Sequence, residues 1–186
     1  MIKTKDDLKK YLESDKKALG VNKKRPSFFG DEIWKFERAL RHREYYLNLE
    51  KKGLLIKRIK RIYWTLLYHR YGIKLGFHIP PNVCEEGLHI NHHGLLIIND
   101  NAKIGKNSDI HQGVNIGVNV DLGKAPKIGD NVFIGPGVKI FGDIEIADNI
   151  AIAAGSVVNK SFTQPNITIG GVPARIINDK RGNPYV

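Results

Sequence analysis

Five of the chain's seven histidines, His78, His89, His92, His93 and His111, crowd into one short stretch. An imidazole titrates near neutrality, so any of them could accept the proton of a hydroxyl as its oxygen attacks an electrophile. Three imidazoles and a water would equally suit a catalytic zinc ion. A lone histidine in a loop usually fills a corner. Five together make that reading less comfortable.

Such residues need elements to hold them, and the pattern around them is unusual. An aliphatic residue recurs at every sixth position: Ile98, Ile104, Ile110, Ile116, Leu122, Ile128, Ile134, Ile140, Ile146, Ile152 and Val158. On a helix this spacing would smear around the axis. On an extended strand an even spacing returns to the same face. A short fixed period of this kind marks a coil whose rungs stack on their neighbours. Three hexapeptide sides make one triangular rung, with Gly and Asn taking the left-handed backbone of its corners. The stretch Val118 to Pro126 keeps the period at Leu122 but is rich in loop residues, and is expected to bulge from the coil.

The N-terminal part reads differently. Residues 1–70 hold 20 Lys or Arg against 9 Asp or Glu, whereas residues 71–186 hold 10 of each, so the whole excess of +11 lies at the N-terminal end. Helices are expected over Asp6 to Leu19, from Asp31 to about Leu49 with Gly30 or Asp31 as cap, and over Leu54 to Tyr71. The third is basic and amphipathic, with Ile56, Ile59, Tyr63, Trp64 and Leu67 set against Lys57, Arg58, Lys60 and Arg61. Packing on its own domain or a sister subunit is the favoured expectation, and contact with an anionic membrane surface the alternative. Nucleic acid is not expected as a partner.

These features set three segments: a helical region 1–72, a coil 73–177 and a tail 178–186, with the helices and the tail as candidate caps. The single cysteine, Cys84, excludes an intrachain disulfide and fits a reducing compartment. The opening Met1-Ile-Lys-Thr-Lys-Asp-Asp has no signal-peptide character, and no apolar run approaches the ~20 residues of a membrane span. A cytoplasmic protein is expected.

The repeats, together with Ala153-Ala-Gly-Ser-Val-Val158 and Gly170-Gly-Val-Pro-Ala-Arg-Ile-Ile177, resemble the hexapeptide-repeat acyltransferases, and within them the serine O-acetyltransferase branch. The resemblance covers about residues 30–178. It implies a mainly β fold, a left-handed parallel β-helix behind an α-helical N-terminal region. It also implies a homotrimer, which could pair further, with acetyl-CoA as co-substrate in clefts between subunits and no metal.

By this resemblance the general base falls in Gly87-Leu-His-Ile-Asn-His-His-Gly94, at His92, with His93, His89 and His111 as alternatives. Asn91 stands where the family has Asp. His78 replaces the family's orienting Asp, leaving Asp100, aligned with a family Glu, Glu86 or a backbone carbonyl as substitutes. His78, His93, His111 and Lys124 become candidate acceptor-binding residues. Lys124 lies in Gly123-Lys-Ala-Pro-Lys-Ile-Gly129, where serine-specific members carry Asp-Arg-His-Pro, and a lysine lacks the bidentate fork of arginine. A sugar hydroxyl therefore competes with L-serine as acceptor. For CoA, Gly117, Gly135, Pro136, Ala153 and Ala154 are candidate small residues along pantetheine, Asn159 a contact, and Lys160 and Arg175 candidate phosphate partners. A zinc hydratase on the same coil, as in γ-type carbonic anhydrases, and a non-catalytic scaffold are the remaining alternatives.

Overall fold

The protein is described by a computed structural model covering residues 1–49, 55–119 and 123–184. Three helices lead: α1 (Lys5–Ala18), α2 (Glu32–Asn48) and α3 (Leu55–Leu75). α1 begins in a capping box between Thr4 and Asp7 and ends ahead of Gly20 in left-handed backbone. Asp31 precedes α2 but does not cap it through its side chain; its carboxylate turns back to accept from the Ser27 amide at 2.8 Å. The expected start of the third helix, Leu54, lies outside the described residues. α3 runs past the expected Tyr71 and stops at Gly76, whose φ of 78° no β-branched residue would adopt readily.

From Phe77 the chain winds round three sheets in strict rotation. β1 (Phe77–His78) opens the first sheet, β2 (His89–Ile90) lies in the third, and β3 (Leu96–Ile98) returns beside β1. Then β4 (Lys103–Ile104), β5 (Asp109–Ile110) and β6 (Asn115–Gly117) enter the second, third and first sheets. β7 (Lys127–Ile128), β8 (Phe133–Ile134) and β9 (Lys139–Phe141) repeat the cycle. So do β10 (Glu145–Ile146), β11 (Ala151–Ile152) and β12 (Val157–Val158). β13 (Thr168–Gly171) completes the third sheet, and β14 (Ala174–Asn178) turns back antiparallel onto it. The other pairings are parallel.

The register explains the sixfold period. Ile98 pairs with Ile116 and Ile134 with Ile152, each the third hexapeptide on. Ile104 pairs with Ile128 and Ile110 with Ile134, each the fourth. One extra hexapeptide therefore leaves the coil between Ile116 and Ile128, as the loop-rich composition implies. The period survives there because the excursion is itself one period long; Leu122 lies outside the described residues. The other members of the series are all buried in one continuous core.

Corners repeat as well. Asn107, Asn131, Asn149 and Asn166 hold φ of 52–61° at one corner, and Gly113, Gly137 and Gly155 hold 68–78° at another. Asn side chains link successive rungs, Asn107 donating to Asn131 at 3.1 Å and Asn149 to Asn166 at 3.0 Å.

Both ends of the coil are covered. At the start, Arg41 is buried between helices and coil. It donates to Asp15 at 2.7 Å, to Glu44 at 3.0 Å, and to the carbonyls of Cys84 and Glu85 at 2.7 Å each. Asp15 in turn accepts from the Gly87 and Leu88 amides, Glu44 from Asn82 and Glu37 from Ile90. The unpaired backbone of the first rung is thus satisfied by α1 and α2 side chains. At the far end the tail folds back, the Asn183 amide donating to the Asn149 carbonyl at 3.1 Å.

α3 packs on α2 through Trp64, Leu67, Tyr68 and Tyr71. Ile56, Ile59 and Tyr63, expected on its packing face, are exposed instead. No described helix is long and apolar enough to cross a membrane.

Candidate active site

The corner between the third and first sheets carries most of the residues singled out above. Successive rungs place there Asn91, His92 and His93; His111 and Gln112; Gly135 and Pro136; Ala153 and Ala154; and Gly170. The backbone ladder fixes this column: Asn91 donates to Ile110, His111 to Ile134, Gly135 to Ile152 and Ala153 to Ile169. Arg175 pairs with Gly170 at its top. One edge of the coil therefore runs from imidazoles, past small residues, to a guanidinium.

At the imidazole end the geometry is tight. The rings of His92 and His111 lie 6.1 Å apart, and His111 stands edge-on to Phe133 at 5.0 Å. Asn91 Nδ2 is 3.3 Å from His111 Nε2. Burial holds the His111 pKa below the ordinary histidine value, against the pull of Asp109 and with help from His92 and His89. Asp109 is nearly buried between two imidazoles, Oδ2 being 3.3 Å from His89 Nδ1 and Oδ1 3.7 Å from His111 Nε2. Asp109 Oδ1 and Gln112 Oε1 are buried acceptors without a hydrogen bond from the protein. His92 and His93 are exposed.

Asp109 is not among the residues that the sequence singles out. A signal is present: in Asp109-Ile-His111 the two polar residues share one face of a strand. That His89 opposes Asp109 across the rungs needs the register, because this step is longer than three plain hexapeptides.

The structure separates the other acid candidates from His92. Asp100 and His78 line a cavity of about 550 Å³ under α3, together with Arg43, Tyr68, Pro81 and Leu95; His92 does not line it. Glu86 pairs with Lys10 at 2.8 Å and Lys106 at 3.8 Å. Lys124 pairs with Asp143 at 3.0 Å. Among the described residues no three His, Cys, Asp or Glu side chains gather as a metal site would require.

The small residues differ in what keeps them small. A Cβ on Gly135 would come within 2.8 Å of the Ile152 carbonyl, so packing alone demands glycine there. On Gly117 it would meet only Asn115 Oδ1 at 3.6 Å, and the room is open. At the other edge of the first sheet Gly117 ends β6 and Asn159 follows β12, two strands that β9 separates. Lys160 and Arg175 line one cavity of about 560 Å³, with Phe162, Gln164 and Ile167 among its walls.

Residues 125–160 match the family model described as bacterial transferase hexapeptide, six repeats. No curated protein sequence matches the chain. Among solved structures, the chain is 29% identical to Brucella abortus serine acetyltransferase in complex with coenzyme A. That match has a TM-score of 0.71 and covers 96% of this chain and 70% of that one. Neisseria gonorrhoeae serine acetyltransferase in complex with serine is 28% identical (TM-score 0.68, coverage 93% and 70%). The soybean apoenzyme is 26% identical (TM-score 0.69, coverage 92% and 69%). By its repeat and by its fold, the chain is similar to the hexapeptide-repeat acyltransferases of the serine acetyltransferase branch.

Proposed function

We propose that the protein is an acetyl-CoA-dependent O-acetyltransferase built on a left-handed coil, with the helical region 1–72, the coil 73–177 and the tail 178–186 as its parts. The observation that carries this reading is the single corner on which imidazoles, small residues and Arg175 stand in order. The Brucella relative binds coenzyme A and the Neisseria relative binds serine, which supports the same pair of substrates here. A homotrimer would complete each cleft with a second copy, and the cytoplasm supplies acetyl-CoA.

In this mechanism the acceptor hydroxyl attacks the thioester carbonyl directly while His92 takes its proton. The tetrahedral adduct then expels the CoA sulfur, which recovers the proton from the imidazolium, so no group remains on the enzyme. Asn91, held at His111, sets the loop that carries His92. His93 and His111 border the acceptor. Pantetheine lies along Gly135, Pro136, Ala153 and Ala154, with Gly117 and Asn159 beyond, while Lys160 and Arg175 meet the CoA phosphates. Asp100 and His78 contribute from the neighbouring cavity, and Lys124 from the excursion.

A sugar hydroxyl, as in surface-polysaccharide assembly, is the second reading for the acceptor. The Lys124–Asp143 pair favours it, because it occupies the cation that would otherwise hold a serine carboxylate.

The test is thiol release from acetyl-CoA with L-serine or with free and nucleotide-linked sugars as acceptor. Cys84 does not confuse the readout, since burial pushes its thiol up to about 12. His92→Ala is expected to lower turnover about a hundredfold or more. Retained turnover would remove His92 from the base role and direct attention to His111→Ala.

A further inference from the structure

α3 is apolar on two sides. Trp64, Leu67, Tyr68, Tyr71 and Leu75 face the protein. On the opposite side Leu55, Ile59, Ile62, Leu66 and Ile73 recur at helical spacing and form one stripe. They are exposed, Ile59 by 56%, Leu66 by 64% and Ile73 by 84%. By helix geometry Arg58 borders the stripe on one side and Arg70 on the other. α3 contains no acidic residue. A second apolar point lies beside its C-terminal end. Phe28 and Phe29, 89% and 85% exposed, follow Lys24 and Arg25, and the Lys74–Glu32 ion pair at 3.0 Å ties α3 to the start of α2 just after them.

We propose that this face of α3, with the Phe28–Phe29 loop, docks on the anionic lipid surface of a membrane, lying in the interface without crossing it. Charge decides between occupants. A second copy of the chain would bring Arg58 and Arg70 against their own kind. A nucleic acid would satisfy the cations but leave the aliphatic stripe in water. Anionic headgroups over acyl chains satisfy both, the usual arrangement for an interfacial amphipathic helix. The inference is independent of the acetyl-transfer reading, since it uses none of the residues assigned to that reaction.

Flotation of the full chain with phosphatidylcholine vesicles, with and without phosphatidylglycerol, tests it. The chain is expected to float only with the anionic vesicles and to be released by salt. Each basic residue near such a surface contributes about fivefold in partitioning, so Arg58→Gln with Arg70→Gln should weaken binding about thirtyfold. Ile59→Ser, Ile62→Ser and Leu66→Ser together should abolish flotation while circular dichroism, sedimentation and thiol release stay unchanged. Failure to float with anionic vesicles would overturn the proposal. So would undiminished flotation of the serine variant, or its sedimentation as a smaller assembly, which would make the stripe a contact between copies.

Discussion

His42 shows how a single side chain can tie stability to pH. Its ring stacks on Trp64 with centroids 3.9 Å apart and planes 6° from parallel. Burial, aided by Arg38, holds its pKa down to about 4, against an ordinary value of 6.5. Between these values the unfolded chain binds a proton that the folded chain refuses, so stability falls as pH falls through that window. The ring keeps some solvent, which screens the effect, and about 2 kcal/mol is expected. His42→Phe keeps the stacking and removes the titration. Urea unfolding from near-neutral pH to about pH 4 should show the parent losing about 2 kcal/mol more than the variant. Equal losses would mean that the imidazole is protonated in place.

The rungs owe their stability to two kinds of element-level repetition, inward aliphatics and left-handed corners. Ile134 is fully buried between Ile110 and Ile152. Ile134→Ala removes most of a side chain from a packed column and should cost about 2–5 kcal/mol, measured by urea unfolding. The corner at Asn131 has φ of 56°, and its carbonyl and side chain both accept hydrogen bonds, from Asn183 and Asn107. Asn131→Gly keeps the backbone and loses one side-chain link. Asn131→Ala also strains the backbone, by about 1–2 kcal/mol more. The alanine variant should therefore unfold at lower urea than the glycine variant, the reverse of their order in a helix. These elements were legible in the sequence because a solenoid repeats its rule with every rung: each described member of the aliphatic series, from Ile98 to Val158, is buried. What one chain position cannot reveal is a pairing set by insertions. The lengthened step that brings His89 onto Asp109 and the excursion before Ile128 change which residues meet without changing any local pattern. The packing face of α3 is harder to read from sequence for a related reason. An apolar stripe states that something covers it, not what, and this helix carries two.

At the scale of the whole molecule, the helical region and the coil are joined by a buried ionic cluster that no periodicity announces. Arg41 is surrounded by Asp15, Glu44 and two carbonyls of the first rung. Burial works against its charge, but the two carboxylates outweigh that cost and hold its pKa well above the ordinary value. Burial also raises Glu44, against the pull of Arg41. Removing the guanidinium leaves carboxylates in a dry seam, and breaking a buried pair from one side costs about 3–5 kcal/mol. The loss falls on the seam and spares the rungs beyond it. Arg41→Met should therefore do more than lower the melting temperature, by roughly 10 °C for a chain of this size. It should split one transition into two, helical circular dichroism fading before the aliphatic core opens. The buried thiol of Cys84, whose carbonyl Arg41 holds, reports the same event from inside the first rung. In the parent it should react with a thiol reagent only as the whole protein unfolds. In Arg41→Met it should react in the first transition, while the core around Ile134 and Ile140 still holds. A single coincident transition in the variant would show that the coil does not stand without its helical cap.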